Sequence, residues 1–485
     1  MKHKLLMTSL LVGLLTPAVA SANPEPTAYD ARSIGMGLTG VTYLEQPAAL
    51  VLNPANLEGI EKLGFTFHFT GLFTNQRAPV EGPNTRVETS LGSQSGLGIG
   101  PIPSGFIAGR IAPRVVFAGG IYIETGYGSS FKGVTCVDGD PVGGPPDYAP
   151  STPNSDPPCS VPTAQDLDVT FFIGEFSAGF SFRVHEKFWL GVALRLPFSK
   201  QTADLTQNIG AATELLPSPF YAGVKNDLGG MGFPSPRFGF TIKPHRKVNI
   251  SAMYRMYSKI KLTGTTETVL VEGAAPSILD AQADWFIPHA LAFGVSYQAN
   301  SHLLLAFELR IQFHGADKTG NKNQTVTTTD PTGTLPDQPP LVVPFGWQNT
   351  YSLKIGFEYR FKKELLALRL GTNIANSATT GEWVQYFTPP PTSFMFSTYS
   401  AGLGFYWNDR NNPSIKDKYR LDLAGLFSIT GKTFGNEYIE APPQQVPGTD
   451  ETQRLCSDEQ VTRTGCPGNY RVMTFWASVS FTLQY

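Results

Sequence analysis

The sequence predicts an all-β protein, a fourteen-stranded antiparallel transmembrane β-barrel whose lumen holds an N-terminal plug, or hatch. Three observations predict this fold class. From residue 64 onward, apolar residues recur at every second position. The connections between the resulting segments alternate between short and long. No segment after the N-terminal region reaches the roughly 18 to 20 consecutive apolar residues of a transmembrane helix.

The final segment shows the alternation most clearly. In residues 473–485, Phe475 and Phe481 fall on one side of an extended strand, while Ser478 and Ser480 fall on the other. One face suits lipid and the other suits water. A soluble β-sandwich, which buries its apolar face, produces the same alternation. Alternation alone therefore leaves both architectures open.

The lengths of the connections distinguish a barrel from a sandwich. The alternation predicts strands at 64–74, 102–111, 115–127, 168–184, 188–205, 236–243, 247–265, 284–299, 301–313, 347–361, 364–375, 394–407, 418–431 and 470–485. Tight turns such as 113–114 and 185–187 alternate with long loops. A bacterial outer-membrane barrel has an even number of strands, short periplasmic turns and long external loops. The pattern therefore predicts a barrel in the outer membrane of a Gram-negative bacterium, with both termini in the periplasm.

The N-terminal residues predict a secretory signal peptide. Two lysines precede the apolar run 5–15, and small residues up to Ala22 provide A-x-A cleavage sites. The run is too short to span a bilayer, which argues against a membrane anchor. We therefore divide the chain into a signal peptide at 1–22, a hatch at 23–63 and a barrel at 64–485.

Composition and motifs exclude several classes of function. The formal net charge is −2 and no basic block is present, so the chain has no electrostatic footprint for nucleic acid. No G-x-S-x-G or H-E-x-x-H motif occurs, so we expect neither an enzyme nor a bound cofactor. An outer-membrane lipase that uses Ser and His residues at the edge of the lumen remains an alternative.

The four cysteines fall into two local pairs, Cys136 with Cys159 and Cys456 with Cys466. Export to an oxidising compartment predicts that each pair forms a disulfide within a loop. A metal site would need C-x-x-C spacing or interleaved histidines, which are absent from the sequence, so no metal is expected.

Residues 23–63 do not alternate, and Gly and Pro interrupt their short apolar pieces. A fourteen-stranded barrel is wider than the eight-stranded size that side chains can fill, so a plug made from this segment is expected. Gly35, Gly37 and Gly40 match G-x-G-x-x-G, but no apolar strand precedes them. We therefore interpret these glycines as tight turns against the barrel wall and not as a dinucleotide site.

Two stretches of the sequence resemble a known family. The first reads DARSIGMGLTGV followed by ALVLNPANL, and it resembles the N-terminal hatch of the FadL/TodX family of outer-membrane transport proteins. Asn53, Pro54 and Ala55 match the Asn-Pro-Ala motif of that hatch. The second reads WQNTYSLKIGFEYRF with ALRLG, and it is similar to the family's paired strands. Leu38 and Asn56 depart from the family, in which a small residue and a glycine are common at these places.

The resemblance implies passive uptake of hydrophobic compounds, with long-chain fatty acids as the expected cargo. In the family, outward loops catch the ligand, a lumenal pocket receives it, and it leaves when the hatch shifts, often sideways at a kinked third strand. Two alternatives remain open, a channel for aromatic hydrocarbons and a shuttle component of a protein secretion system. A leaky polar porin is disfavoured by the plug and by the apolar loops. We expect a monomer that contacts outer-membrane lipid and lipopolysaccharide.

The external loops and the third strand supply two groups of candidate residues. Apolar loop residues are candidates for ligand capture, although they can also pack on each other to cap the barrel; they are Leu215, Leu216, Phe220, Tyr221, Ile278 and Leu279. In the third strand, Gly119 and Gly120 permit either a kink for lateral exit or plain barrel curvature.

Basic residues on the inner wall form the third group. Each is a candidate contact for a ligand carboxylate, and each is equally a candidate for pairing with Glu308, Glu358 or Asp422 on the same wall. These basic residues are Arg195, Arg255, Arg310, Lys354 and Arg369.

We predict that the long loops face the cell exterior. In a cysteine-free background, Ser277→Cys should react with a membrane-impermeant maleimide on intact cells, whereas Asn411→Cys should not, because position 411 falls in a periplasmic turn. Labelling at position 411 but not at position 277 would invert the topology.

Overall fold

The computed structural model describes most of the chain from Tyr29 to Tyr485. The described residues are 29–78, 94–134, 165–210, 220–269, 276–333, 340–361, 365–379, 396–407, 418–434, 444–445, 452–453 and 468–485. The predicted signal peptide and all four cysteines lie outside these ranges. The leader and the two disulfides therefore stay predictions.

Within the described ranges, fourteen strands form a closed antiparallel ring. In order around the ring they are β1 (Leu63–Ala78), β2 (Gln94–Ala112), β3 (Val115–Val134), β4 (Gln165–His185), β5 (Phe188–Gly210), β7 (Ser235–His245), β8 (Val248–Arg255), β11 (Ala290–Gln298), β12 (Leu303–Gln312), β15 (Thr350–Arg360), β16 (Leu366–Ala375), β17 (Phe396–Trp407), β18 (Tyr419–Phe434) and β21 (Gly468–Gln484). Each predicted segment overlaps one of these strands, so the prediction of a fourteen-stranded antiparallel barrel is confirmed.

The ring closes where β21 pairs with β1. The Leu63 amide donates to the Tyr485 carbonyl at 3.3 Å, and the Tyr485 amide donates to the Leu63 carbonyl at 2.7 Å. The Lys418 ammonium lies 4.5 Å from the centre of the Tyr485 ring, a cation–π contact. Closure leaves the barrel without a free sheet edge at this seam.

The two faces of the wall differ as the alternation predicts. On β21, Phe475 is 48% exposed and Phe481 is 42% exposed, whereas Ser478 and Ser480 are buried. The same pattern holds on β12, where Phe307 is 51% exposed. A continuous exposed surface of this size is stable only in contact with another apolar phase. The apolar exterior therefore indicates a bilayer around the barrel.

Five further strands extend the wall beyond one end of the ring, and we call them the collar. They are β6 (Phe220–Met231), β9 (Ser258–Val269), β10 (Ser277–Ile287), β13 (Asn323–Thr329) and β14 (Leu341–Pro344). β5 bridges both regions because Phe188–Arg195 pairs with β7 and Phe198–Gly210 pairs with β6. A separate two-stranded sheet joins β19 (Gln444–Gln445) to β20 (Thr452–Gln453).

The collar corrects three sequence expectations. Residues 247–265 and 284–299, each predicted as one strand, are interrupted between β8 and β9 and between β10 and β11. Pro288 lies at the second interruption, where its missing N–H cannot join a ladder. Residues 220–231, expected in a loop, form β6, whose outward Lys225 and Asp227 hide the alternation.

The N-terminal segment contains three short helices, at Ala31–Gly35, Ala49–Leu52 and, as a 3₁₀ helix, Pro54–Gly59. Asp30 caps the first by accepting a hydrogen bond from the Ser33 amide at 3.2 Å. Almost all residues of the segment are buried, and its partners are inward-facing residues of the wall. No helix among the described residues is long and apolar enough to cross a bilayer.

Candidate functional site

The Asn-Pro-Ala motif lies directly on the backbone of the barrel wall. Asn53 and Pro54 approach Gly239 of β7, and Pro54 and Ala55 approach Gly191 of β5. A Cβ atom at either glycine would overlap these hatch atoms. Both wall positions therefore require glycine, and the motif fits against them.

Hydrogen bonds fix the motif in this position. The Asn53 side chain accepts from the Ala55 amide at 3.1 Å, which caps the 3₁₀ helix that Pro54 begins. The Asn53 amide group donates to the Val41 carbonyl at 2.9 Å and contacts Thr241 Oγ1 at 3.0 Å. Ser181 Oγ donates to the Ala55 carbonyl at 2.8 Å. The motif thus ties the hatch to β4 and β7.

Asn56, one of the two departures from the family pattern, strengthens the same contact. Its Nδ2 donates to the Val41 carbonyl at 2.8 Å, and its Oδ1 accepts from Thr241 Oγ1 at 2.6 Å. A glycine at this position would lack both bonds. The departure therefore adds attachment without disturbing the motif.

The glycines of the predicted turn form a second close contact, on the opposite part of the wall. Gly35 approaches Gly402 of β17, where an added Cβ would lie 3.1 Å from the Gly402 Cα. Gly37 has a positive φ of 71° and donates its amide proton to Ser400 Oγ at 2.9 Å. It also lies against Gly371 of β16, where a Cβ has no room. The turn interpretation of these glycines agrees with this geometry.

Leu38, the second departure, has a left-handed backbone with a φ of 64°. This conformation costs a non-glycine residue about 1 kcal/mol or more. Its side chain is buried in a cluster that we call the lumenal apolar cluster: Ile34, Leu38, Leu72, Ile102, Ile123, Leu426 and Trp476. Burial of a leucine side chain contributes about 1.5 to 3 kcal/mol, which offsets the strain.

Two carboxylates of the wall receive groups from the hatch. The amides of Gly40 and Val41 donate to Glu308 Oε2 at 3.1 and 3.2 Å. The Arg32 guanidinium forms a two-pronged pair with Glu358, with both distances 2.8 Å. Such planar pairs are among the stronger polar contacts in proteins. Arg32 was not a candidate from the sequence, because its partner lies 326 residues away in the chain.

A group that we call the central ion cluster lies in the lumen beyond the hatch: Glu124, Glu175, Arg195, Arg237 and Arg255. Arg195 pairs with Glu175 at 2.6 Å, and Arg255 pairs with Glu124. Arg237 lies 3.8 Å from both carboxylates. All five side chains are at most 1% exposed. Removing one partner would leave a buried charge uncompensated.

Two of these arginines also stabilise the interruptions between barrel and collar. Arg195 donates to the Met256 carbonyl at 2.8 Å, and Arg255 donates to the Pro288 carbonyl at 3.0 Å. Both carbonyls lie where a strand is interrupted and the ladder supplies no partner. The arginines thus donate hydrogen bonds to carbonyls that have no ladder partner where the strand is interrupted.

The predicted basic residues all lie on the inner wall, as expected. Lys354 pairs with Glu308 at 3.3 Å, and Arg369 pairs with Glu358 at 2.7 Å and Asp422 at 2.8 Å. Arg195 and Arg255 belong to the central ion cluster, and Arg310 is 4% exposed. For Lys354, Arg369, Arg195 and Arg255, the structure therefore favours pairing with wall carboxylates over a site held open for a ligand carboxylate.

Two alternatives were open at Gly119 and Gly120 in the third strand, a kink and plain barrel curvature. The ladders on both sides continue through both glycines without a register shift, which favours plain curvature there. Gly120 instead leaves room for the ring of Phe106 on β2. The register shift lies between Ile123 and Thr125, which makes Glu124 the extra residue of a β-bulge. Its partners across the lumen hold the bulge inward.

The wall has a gap above this bulge. Pairing between β2 and β3 ends at Ser104 and Tyr122, although β2 begins at Gln94 and β3 continues to Val134. In this region β2 pairs with β1, and β3 pairs with β4. We call the unpaired region, residues 94–103 facing 123–134, the β2–β3 gap.

Two prolines account for the β2 side of the gap. Pro101 and Pro103 are two residues apart, so they turn the same edge toward a neighbouring strand. The β1 ladder passes both prolines, whereas the β3 ladder stops beside them. The edge that lacks N–H donors therefore faces β3.

Rings from the wall and the collar form an aromatic cluster of Phe171, Trp285, Phe345 and Trp347. The Trp285 centroid lies 4.5 Å from that of Phe171, 5.6 Å from Phe345 and 5.5 Å from Trp347. All four residues are at most 3% exposed. These residues come from segments far apart in the chain, so no local pattern of the sequence groups them.

The structure describes four of the six predicted capture residues. Leu215 and Leu216 lie outside the described residues. Phe220 and Tyr221 belong to β6, and Ile278 and Leu279 belong to β10, so these four lie in collar strands and not in loops. Ile278 is 49% exposed.

Solved structures with similar folds include two toluene transporters and a FadL homologue. A Pseudomonas aeruginosa FadL homologue matches with a TM-score of 0.68 and 14% identity, over 95% of this chain and 99% of that chain. The Ralstonia pickettii toluene transporter TbuX matches with a TM-score of 0.62 and 16% identity, and the P. putida toluene transporter TodX with 0.64 and 16%, each over 95% of this chain and 99% of theirs. No family model and no curated protein matches the sequence. The chain therefore has the FadL/TodX fold.

We predict that Gly371→Ala loosens the hatch. The added Cβ would overlap Gly37 and Met36, and overpacking of this kind costs about 1 to 3 kcal/mol. The variant should raise ion conductance in planar bilayers, measured per inserted barrel. Gly119→Ala is the matched control, because a Cβ there lies 3.8 Å from its nearest neighbour. Equal conductance of the two variants would show that the hatch does not depend on this contact.

Proposed function

We propose that this protein carries hydrophobic small molecules passively across the outer membrane of a Gram-negative bacterium, and that residues 23–63 close its lumen until cargo passes. The single observation that carries the proposal is the position of the lumenal apolar cluster. Ile34 and Leu38 belong to the hatch, whereas Ile102 and Ile123 border the β2–β3 gap. Apolar side chains therefore extend from the hatch to an unpaired part of the wall.

The gap supports a sideways exit. Backbone groups that face hydrocarbon without a partner cost several kcal/mol each, so an unpaired edge is tolerated only where it borders a cavity or water. An opening at the β2–β3 gap would place the unpaired edges of β2 and β3 beside such a cavity. Cargo that leaves through the gap would enter the bilayer directly. It would not have to pass the polar contacts between the hatch and the wall.

Two classes of cargo fit an apolar path. Long-chain fatty acids are the class expected from the sequence, and burial of each methylene contributes about 0.8 kcal/mol. Aromatic hydrocarbons are the second class, favoured by the aromatic cluster and by the toluene transporters among the similar structures. A carboxylate could reach the arginines of the central ion cluster only in competition with Glu124 and Glu175.

The surroundings follow from the same proposal. The apolar exterior would contact outer-membrane lipid, and the charged outward residues of the collar, such as Lys225 and Asp227, would lie at the level of lipopolysaccharide. The short turns and both termini would face the periplasm. We propose a monomer, since the ring closes within one chain.

A displacement titration in nanodiscs tests the function. The probe is a fluorescent fatty-acid analogue, and the competitors are C8 to C18 acids and toluene. If chain burial sets affinity, each methylene should tighten binding roughly fourfold, whereas a hydrocarbon channel should favour toluene and show no trend with chain length. Equal and weak binding of every compound would defeat the transport proposal and favour the secretion shuttle.

The variant Leu72→Asn tests whether cargo binds at the lumenal apolar cluster. Leu72 is fully buried in the lumenal apolar cluster, so an amide there should weaken binding of all competitors by about tenfold. Leu72→Met preserves volume and should change affinity little. Unchanged binding in Leu72→Asn would place the cargo elsewhere.

A further inference from the structure

Tyr29 of the hatch lies at the lower end of the β2–β3 gap. Its hydroxyl donates to Glu124 Oε2 at 2.8 Å, and its carbonyl accepts from Ser104 Oγ at 3.5 Å. Its ring packs edge-on against Tyr122, with 5.1 Å between centroids. Ser104 and Tyr122 are the last residues that pair β2 with β3. The hatch is thus attached where the wall opens.

Glu124 joins three parts of the molecule through one carboxylate. Its backbone forms the bulge of β3, and its side chain pairs with Arg255 of β8 and lies 3.8 Å from Arg237 of β7. The oxygen that accepts from Tyr29, Oε2, is also the oxygen that faces Arg237. Tyr29 and Arg237 therefore compete for the position of this oxygen.

The carboxylate is completely buried, so its partners determine its position. With Tyr29 bound, Oε2 stays beyond close ion-pair distance from Arg237. Once Tyr29 leaves, attraction in a medium of low dielectric draws Oε2 toward Arg237 and so displaces the bulge that borders the gap. Movement of the hatch and the width of the gap are then two parts of one change.

We propose that Glu124 is a positioning residue that couples the hatch to the β2–β3 gap, with the Tyr29 hydroxyl as the contact between them. The inference rests on the proposed function, in which hatch and gap are the two barriers to cargo. Coupling of two sites is reciprocal. A change at Tyr29 must therefore alter β3, and a change at Glu124 must alter the hatch.

Hydrogen exchange measured by mass spectrometry on the full chain in nanodiscs tests this coupling without any cargo. The peptides of interest cover 29–45 in the hatch and 121–126 in β3. Tyr29→Phe removes only the hydroxyl, and it should raise exchange in 121–126 by roughly tenfold, the size expected for loss of a hydrogen bond to a charged group. Glu124→Gln should raise exchange in 29–45 by a similar factor. The double variant should match the stronger single variant, because both remove the same contact.

Thr125→Val is the matched control. The residue lies beside the bulge, and its hydroxyl has no hydrogen-bond partner among the described residues. This variant should leave both peptides unchanged. Effects confined to the altered residue's own segment, or effects that add in the double variant, would overturn the coupling. Because exchange needs no ligand, failure of the cargo titration would leave this result standing, and the reverse also holds.

Discussion

The width of the lumen is the constraint on which the other features depend. Eight strands leave a space that their own side chains can fill, whereas fourteen leave a space that they cannot. A segment that enters this space takes its backbone N–H and C=O groups out of bulk water, and each needs a partner. The inner wall supplies these partners, including Ser400 for Gly37, Glu308 for Gly40 and Ser181 for Ala55. The polar inner face is therefore the binding surface for the hatch.

The charges on the inner wall follow the same constraint. Arginines such as Arg195 and Arg255 lie fully buried, and their terminal nitrogens bind protein carboxylates and backbone carbonyls at the strand interruptions. A buried ion pair contributes little net free energy to folding, because both charges lose their hydration. Removing one partner nevertheless destabilises the fold, since the other charge stays buried without compensation. These networks therefore fix geometry: they hold the bulge of β3 inward and join the barrel to the collar. In the proposed function, cargo binds at the apolar clusters and not at these ion pairs.

The fold could be read from the sequence because strand alternation is a local signal. Alternation with the immediate neighbours shows which face of the strand holds Phe475, Phe481 and Ser480. All fourteen barrel strands were predicted from this local pattern. The collar strand β6 could not be predicted from alternation because its outward face carries Lys225 and Asp227. Its inward face is apolar at Val224 and Leu228, but the polar Asn226 lies between them and interrupts the pattern.

The candidate site was predicted less completely, for a physical reason. The Asn-Pro-Ala motif was recognised, but its partners Gly191 and Gly239 become evident only when the strands are in register. Gly119 and Gly120 permit either a kink or plain curvature, whereas the bulge lies at Glu124, whose partner Arg255 is 131 residues away in the chain. Pro101 and Pro103 were a local signal for the gap that was available in the sequence.

The proposed function requires that the N-terminal segment closes an otherwise open barrel. Single-channel recording in planar bilayers tests it most directly, by comparing the full chain with a variant that lacks residues 31–60 but retains the signal sequence. Antiparallel pairing within the ring does not involve these residues, so the shortened chain should still insert. The account predicts low conductance for the full chain and stable, high conductance for the variant. Equal conductance of the two would contradict it.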